Sequence, residues 1–197
     1  MITMSEHPKP GRPRSAQADE AILAAARELL AEGGLANLTV EGTAHRAGVA
    51  KTTVYRRYPS RLDLAVAAIA ALVSDTRPSG DSIEEKTTSG LGLFQQSMRG
   101  PGAQAAYLSV AAAAAQDPLV HERFAETVLS PTENKLRMDL QTAIDGGEAS
   151  PDVDLDFLHD VLVGTLLHRF VIRQEPMDDT FREQFTALVR FVYRDPR

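Results

Sequence analysis

Apolar residues recur with helical spacing through most of this chain. In residues 16–32, for example, Ile22, Ala26, Leu29 and Leu30 fall on one face of a helix. No segment alternates apolar and polar residues with the period of two that is typical of a half-buried strand. The pattern predicts an all-α protein with longer helices over 16–32, 60–75, 81–98, 103–116, 119–145, 153–174 and 178–193.

Glycine and proline separate these segments. Gly33-Gly34 ends the first helix, and Arg77 to Gly80 is the clearest boundary in the chain. Pro131 lies inside the segment 119–145. Proline in a helix interior removes a hydrogen bond and clashes with the preceding turn, so this segment is either kinked or split in two.

The stretch from Leu38 to Leu64 contains two short helical patterns separated by one glycine. Val40, Ala44 and Ala47 form the inward stripe of the first pattern, at i, i+4 and i+7. Gly48 follows where the chain must turn sharply, and glycine tolerates the left-handed backbone conformation that such a turn needs. This spacing predicts a helix-turn-helix.

The second short helix of this stretch has one buried and one cationic side. Val54 and Tyr58 provide the buried side. The outward side consists of Lys51, Thr52, Thr53, Tyr55, Arg56 and Arg57. Cations and hydrogen-bond donors suit DNA phosphates and base edges. The same pattern is also typical of solvated charges on an ordinary amphipathic helix.

Residues Thr39 to Leu64 resemble the DNA-binding motif of the TetR family of bacterial repressors. That motif has a capping threonine, a G-V-[SA] turn, an [ST]-x-Y-x-x-[FY] recognition helix and a basic residue opening the next helix. The matching residues are Thr39, Gly48 to Ala50, Thr53 to Tyr58, and Arg61. The sequence departs from the family at Gly42, where a better helix former is usual, and at Thr43, where an aliphatic residue is usual. Glycine inside a helix costs about 1 kcal/mol relative to alanine, so we expect the first motif helix to be locally weak.

The resemblance implies a three-helix DNA-binding domain followed by a larger helical domain that binds a small molecule and dimerises. We therefore assign residues 16–62 to the helix-turn-helix domain and residues 63–197 to the ligand-binding and dimerisation domain. In the family, the fourth helix connects the two domains mechanically. The function implied is that of a ligand-responsive, dimeric repressor that binds a palindromic operator and is released by a small hydrophobic effector.

Two kinds of DNA contact are expected from the motif. Base edges in the major groove are expected to meet Lys51, Thr52 and Arg56. Phosphates are expected to meet Thr39, Arg46, Tyr55, Arg57 and Arg61. Thr53 and Tyr58 complete the candidate surface.

Residues 1–15 are polar and proline-containing, and we predict a flexible basic arm. The segment Gly11 to Arg14 resembles the core of minor-groove-binding AT-hook arms. An extended Gly-Arg-Pro chain fits a narrow groove, where negative potential attracts Arg12 and Arg14. A tail that only improves solubility is the alternative.

The last two predicted helices carry more apolar residues than a single core contact needs. Candidates for a dimer interface are Leu158, Leu162, Leu166, Phe181, Phe185 and Leu188. A fully buried central helix in a monomer is the alternative.

Apolar and aromatic side chains in the C-terminal region provide candidates for a ligand pocket. They are Phe94, Met98, Tyr107, Phe124, Met138 and Phe170. Such residues form adaptable walls, and Tyr107 adds a hydrogen-bonding group. Ordinary core packing explains each of them equally well. The region has no evident cationic cluster, so we expect a neutral or weakly cationic hydrophobic ligand.

The charge is divided unevenly along the chain. The net charge is −6, yet residues 1–61 hold nine Lys/Arg against six Asp/Glu, and residues 62–197 hold twelve against twenty-one. The proposed DNA-binding part is therefore locally basic. There is no cysteine, no apolar run long enough to span a membrane and no apolar leader at the N-terminus. We expect a cytoplasmic protein without disulfides.

Catalytic and metal-binding motifs are missing from the sequence. An EF-hand loop beginning at Asp152 fails, because Phe157 replaces the required glycine and Val163 the required glutamate. No phosphate loop or nucleophile elbow occurs. We expect no enzyme activity, no metal and no cofactor. The alternative to a ligand-controlled repressor is a constitutive helical module that binds DNA or an acidic protein.

Overall fold

The computed structural model describes residues 14–74, 78–100 and 102–194. Its helices are α1 (Arg14–Asn37), α2 (Val40–Ala47), α3 (Lys51–Arg57), α4 (Arg61–Ser74), α5 (Ile83–Met98), α6 (Ala103–Ala114), α7 (Pro118–Phe124), α8 (Ser130–Asp145), α9 (Leu155–Leu166) and α10 (Asp179–Arg194). The described residues contain no strand, which confirms the predicted all-α class. No helix among them is long and apolar enough to cross a lipid bilayer.

The first four helices form one packed unit. Ile22 and Leu30 of α1, Val54 of α3 and Leu64 of α4 are all almost completely buried. Thr43 is buried as well, and its hydroxyl donates to the carbonyl of Thr39 at 2.8 Å. The hydroxyl that replaces the family's usual aliphatic group is therefore satisfied inside the core. The predicted break at Gly33-Gly34 is present within α1, where both residues leave the helical conformation.

Helix α4 joins the N-terminal helices to the rest of the molecule. It packs on α1 and also contacts α5, α6, α7 and α8. Ser60 caps its start by accepting a hydrogen bond from the Asp63 amide at 3.0 Å. In α4, three residues are fully buried between the N-terminal and the C-terminal helices: Ala65, Ala68 and Ile69. The hydrophobic core is therefore continuous from the helix-turn-helix into the C-terminal helices.

Two of the predicted long helices contain π-helical turns. The segment predicted over 119–145 is α7 followed directly by a π turn at Ala125–Leu129 and then α8. Pro131 lies in the first turn of α8, and the π turn immediately before it divides the segment without an intervening loop. The segment predicted over 153–174 is α9 followed by a second π turn at Leu167–Ile172.

Candidate nucleic-acid interface and internal cavity

The turn between α2 and α3 is built from its glycine. Thr39 caps α2, because its hydroxyl accepts a hydrogen bond from the Gly42 amide at 2.9 Å. Gly48 adopts the left-handed conformation, with φ of 65°. The Val49 amide then returns to the Ala44 carbonyl at 3.0 Å and closes the turn. These bonds fix the direction in which α3 leaves α2.

Helix α3 presents four side chains to solvent. Lys51, Thr52, Tyr55 and Arg56 are exposed, and we call this set the outer face of α3. Half of the Tyr55 surface is accessible. Arg61, at the start of α4, is also exposed. The outer face therefore combines cationic, hydroxyl and aromatic groups on a short rigid helix.

Arg57 and Tyr58 are held against α1 instead. The Tyr58 hydroxyl donates to Asp19 at 2.8 Å, and the Arg57 guanidinium lies 3.4 Å from the same carboxylate. Arg57 also donates to the Thr53 carbonyl. Burial, together with the Asp19 carboxylate, raises the pKa of Tyr58. Both residues are thus held by partners within the protein, which leaves them less available to DNA than the outer face of α3.

Two further cations predicted to contact DNA are paired on the protein surface. Arg46 makes a bidentate contact with Glu32, at 2.6 and 3.1 Å, and Glu28 lies 3.6 Å away. This hydrogen bonding raises the pKa of Arg46. Lys51 lies 3.1 Å from Glu41. A phosphate would have to replace these carboxylates, and exposed ion pairs of this kind are weak enough to be replaced.

The remaining predicted DNA contacts are placed as follows. Thr39 is exposed, although its hydroxyl serves as the cap of α2. Thr53 is half-buried. Arg12 lies outside the described residues, and Arg14 is the first residue of α1. The other residues of the AT-hook resemblance, Gly11 and Pro13, likewise lie outside the described residues.

The C-terminal helices and the end of α4 line a partly open cavity of about 310 Å³. Its lining is mostly apolar and comes from α4, α5, α6, α8, α9, α10 and the π turn at Ala125–Leu129. Leu167, the first residue of the second π turn, also lines it. π turns are often found at functional sites. The volume is at the lower end of the range for small-molecule pockets.

Two of the six predicted pocket residues line this cavity, Phe94 and Tyr107. Phe170 and Phe124 pack behind them, with edge-to-face ring separations of 6.2 Å and 6.0 Å. Met98 is buried elsewhere in the core. Met138 is 71% exposed on α8 and is therefore removed from the candidate set.

The cavity also has polar lining residues that the sequence analysis missed. They are Lys86, Thr87, Thr127, Thr132, Lys135, Asp139, His159 and Tyr193. The sequence shows no cationic cluster in this region, but two single lysines from different helices, Lys86 and Lys135, line the cavity. In the sequence, the only sign of these polar residues was the i, i+4 spacing of Lys135 and Asp139, which places both on one side of a helix. It did not indicate which side of α8 faces the cavity.

Most residues predicted to form a dimer interface are internal. Leu158, Phe181 and Phe185 are buried within the protomer. Leu162, Leu166 and Phe185 line the cavity. These positions are corrected to core and cavity, because side chains already covered by their own chain have little surface left for a partner. Leu188 alone of the predicted set lies at the surface, 36% exposed.

Other apolar residues of α9 and α10 are exposed. Phe157 is 60% accessible and Phe191 is 61% accessible. Gly164, in the last turn of α9, is also exposed. We call Phe157, Gly164, Leu188 and Phe191 the α9–α10 face. Exposed apolar residues that form a contiguous patch on a monomer surface typically mark an interface.

Two contacts show that α9 and α10 are antiparallel. The guanidinium of Arg169, in the π turn after α9, lies 4.5 Å from the ring centroid of Phe181 at the start of α10. The Ser150 amide, before α9, donates to the Tyr193 carbonyl near the end of α10 at 2.7 Å. Phe157 and Phe191 therefore lie toward the same end of the pair.

Comparison with known proteins gives the family of both halves. Residues 22–68 match the model of the tetR family of bacterial regulatory proteins, and residues 77–189 match the tetracyclin repressor-like C-terminal domain. The chain is 30% identical to the solved structure of the TetR family transcription regulator SCO0332. That match covers 88% of this chain and 97% of the other, with a TM-score of 0.68.

Two curated relatives span most of the chain. One is the DNA-binding transcriptional repressor TetR of Mycobacteroides abscessus, 29% identical over 87% of this chain and 88% of its own length. The other is the uncharacterized HTH-type transcriptional regulator YdeS of Bacillus subtilis, 26% identical over 88% of each chain. With the helix-turn-helix geometry and the all-helical C-terminal region, these matches establish that the chain belongs to the TetR family of transcriptional regulators.

Proposed function

We propose that this protein is a dimeric repressor that reads a palindromic operator through α3 and releases it when an apolar ligand fills the cavity. The observation that carries the proposal is the outer face of α3, exposed at the end of a rigid helix-turn-helix and connected through α4 to a cavity-bearing region. The M. abscessus relative is named a repressor. The proposed domain division, with an arm over 1–15 and borders at 16–62 and 63–197, follows the same organisation.

DNA contact is proposed for the exposed groups first. Lys51, Thr52 and Arg56 would reach base edges, with Arg56 to guanine the strongest pair. Tyr55 and Arg61 would hold phosphates on either side and set the register. Arg46 would join them only by exchanging its carboxylate partners for phosphate. Arg12 stays as a proposed minor-groove contact of the arm, and Arg14 as one at the start of α1.

Dimerisation is proposed through the α9–α10 face. Its exposed apolar area is matched by the same area on a second copy when two chains meet about a two-fold axis. Gly164 lacks a side chain and would let the two copies approach closely, since its Cβ position meets nothing within 4 Å beyond its chain neighbours and its own helix backbone. A two-fold dimer would present two α3 helices to successive major grooves.

Coupling between cavity and DNA is proposed through α4. Val73, near the end of α4, lines the cavity, whereas Arg61 lies at its start beside α3. The two positions are about 18 Å apart along the helix axis. The Arg123 side chain on α7 also lies 4.0 Å from Asp63 in the first turn of α4. A ligand that displaces either end of α4 would therefore move the neighbouring α3.

Thermodynamic linkage sets how strongly the ligand must prefer the released form of the protein over the DNA-competent form. A ligand shifts the protein only by the difference in its affinity for the DNA-competent and released forms. A hundredfold loss of operator affinity requires a difference of about 2.7 kcal/mol.

The test is operator binding followed by fluorescence anisotropy across a salt series. Neutralised phosphates release counterions, so the proposal expects affinity to fall steeply with salt, and Arg61→Ala to reduce the slope by about one. A panel of hydrophobic compounds is then screened for release of the operator. Salt-independent binding would contradict the DNA-binding proposal. Steep salt dependence without release by any compound would leave a constitutive DNA-binding protein.

A further inference from the structure

One buried nitrogen in the cavity lining has no hydrogen-bond partner. His159 lies on α9 and lines the cavity. Within the described part of the chain, its Nε2 is buried and forms no hydrogen bond. Native proteins satisfy nearly all buried polar atoms, since an unsatisfied one costs folding free energy. A ligand in the cavity is the nearest source of the missing partner.

Helix contacts place further polar groups at the same end of the cavity as His159. Arg137 in the middle of α8 lies 3.6 Å from Asp156 in the first turn of α9. The level of His159 along α9 therefore corresponds to the middle of α8, where Lys135 and Asp139 also line the cavity.

Tyr193 belongs to this polar end as well. It lines the cavity, and burial together with the nearby Asp139 carboxylate raises its pKa to about 12. Its phenol is therefore protonated at neutral pH and offers a donor. Leu162 and Leu166 follow His159 by one and two turns along α9, and Phe94 contacts Phe170 beyond them, so these apolar residues line the cavity away from His159.

The charges of the lining do not cancel. Lys135 and Asp139 are one helical turn apart on α8, so their opposite charges offset each other. Lys86 on α5 is the other lysine of the lining. Two lysines against one aspartate leave a net formal charge of +1. A cationic ligand is disfavoured by this lining, and a single negative charge is balanced by it.

We propose that the cavity takes an apolar monocarboxylic acid whose carboxylate accepts a hydrogen bond from Nε2 of His159. This inference rests on the proposed ligand control and names the chemical class of that ligand. A carboxylate accepts readily from an imidazole N–H, and a charged acceptor makes the stronger hydrogen bond. The hydrocarbon part lies along Phe94, Leu162 and Leu166. The assignment replaces the neutral or weakly cationic ligand expected from the sequence.

Three probes that share one alkyl chain test the head group: decanoate, 1-decanol and decylammonium. Isothermal titration calorimetry of the full chain at pH 7 measures each affinity. Decanoate is expected to bind roughly tenfold more tightly than 1-decanol, because its charged carboxylate makes the stronger hydrogen bond. Decylammonium is expected to bind most weakly. Equal affinity for acid and alcohol, tighter binding of the amine, or no binding of decanoate at millimolar concentration would each overturn the proposal.

Variants of His159 test whether this residue causes the preference for the acid over the alcohol. His159→Leu is expected to reduce the preference for decanoate over 1-decanol several-fold, whereas His159→Gln, which keeps a donor, retains most of it. His121→Leu is the matched control, because His121 is exposed on α7 and does not line the cavity. The melting temperature without probe checks the folding of each variant. An undiminished acid preference in folded His159→Leu would remove His159 from the site.

Release of the operator by each probe distinguishes a wrong ligand class from an absence of ligand control. If 1-decanol or decylammonium released the operator better than decanoate, ligand control would stand and the acid assignment would fall. If no hydrophobic compound released the operator although decanoate bound with the expected preference, the site would stand and the control of DNA binding would fall.

Discussion

The outer face of α3 and the α9–α10 face are both exposed surfaces, yet they depend on the sequence in different ways. The direction of Lys51 or Arg56 follows from a glycine turn and seven helical residues, all within a short stretch of chain. The exposure of Phe157 or Phe191 depends on which sides of α9 and α10 their own protomer covers. A local motif therefore predicts the first surface, whereas the second needs the packed structure.

The largest effect is expected from breaking the α9–α10 face. Phe191→Glu would place a charge in the proposed dimer interface, which costs several kcal/mol when the charge is buried without a partner. The protein should become monomeric and lose at least about a hundredfold in operator affinity, although α3 is unchanged. Sedimentation velocity and anisotropy measure the two effects.

Met138→Glu is the matched control for this variant. Met138 is also a large exposed apolar residue, but it lies on α8 outside the α9–α10 face. A dimer that survives Phe191→Glu at micromolar concentration would move the interface elsewhere or support a monomer.

The second prediction compares neighbouring arginines on α3. Arg56→Ala should cost about 1–3 kcal/mol of operator affinity and relax the preference at one base pair. Arg57→Ala should leave base preference intact and lower stability instead, because Arg57 is held by Asp19. Binding to a set of single-base operator variants, together with thermal melting, separates the two. Loss of base preference in Arg57→Ala would reverse this assignment.

The third prediction concerns the cavity. Leu162→Trp would add a ring to the lining, so ligand-induced release should be blunted while DNA binding without ligand remains. Leu119→Trp, on the exposed surface of α7, is the control. The chain has no native tryptophan, so each variant also carries a single fluorescent reporter. Full release by ligand in Leu162→Trp would place the ligand elsewhere.

The smallest effects are expected from two tyrosines of the recognition helix region. Tyr58→Phe removes the hydroxyl bonded to Asp19 and should lower the free energy of unfolding by about 1 kcal/mol. Tyr55→Phe should leave stability unchanged and weaken DNA binding slightly, because Tyr55 is exposed. Urea denaturation and anisotropy measure both. The opposite pattern would exchange the two assignments.

The sequence predicted the helical class, the motif and nearly all helix positions, because periodicity, caps and breakers act within a few residues. It misplaced Phe185, which is apolar like an interface residue but is buried and lines the cavity. It also missed His159 and Lys86, since the side of a helix that faces a cavity is set by several distant helices together. It could not show the contact of Arg57 with Asp19 for the same reason, because Asp19 is on another helix.

Selection of bound sequences from a random DNA pool probes α3 and the dimer in one experiment, because the recovered motif depends on both. A two-fold dimer that reads DNA through α3 should select a palindrome whose half-site centres are about one helical turn, or about 34–36 Å, apart. Recovery of an unpaired half-site would contradict the dimer. A pool without any enriched motif would contradict sequence-specific reading by the outer face of α3.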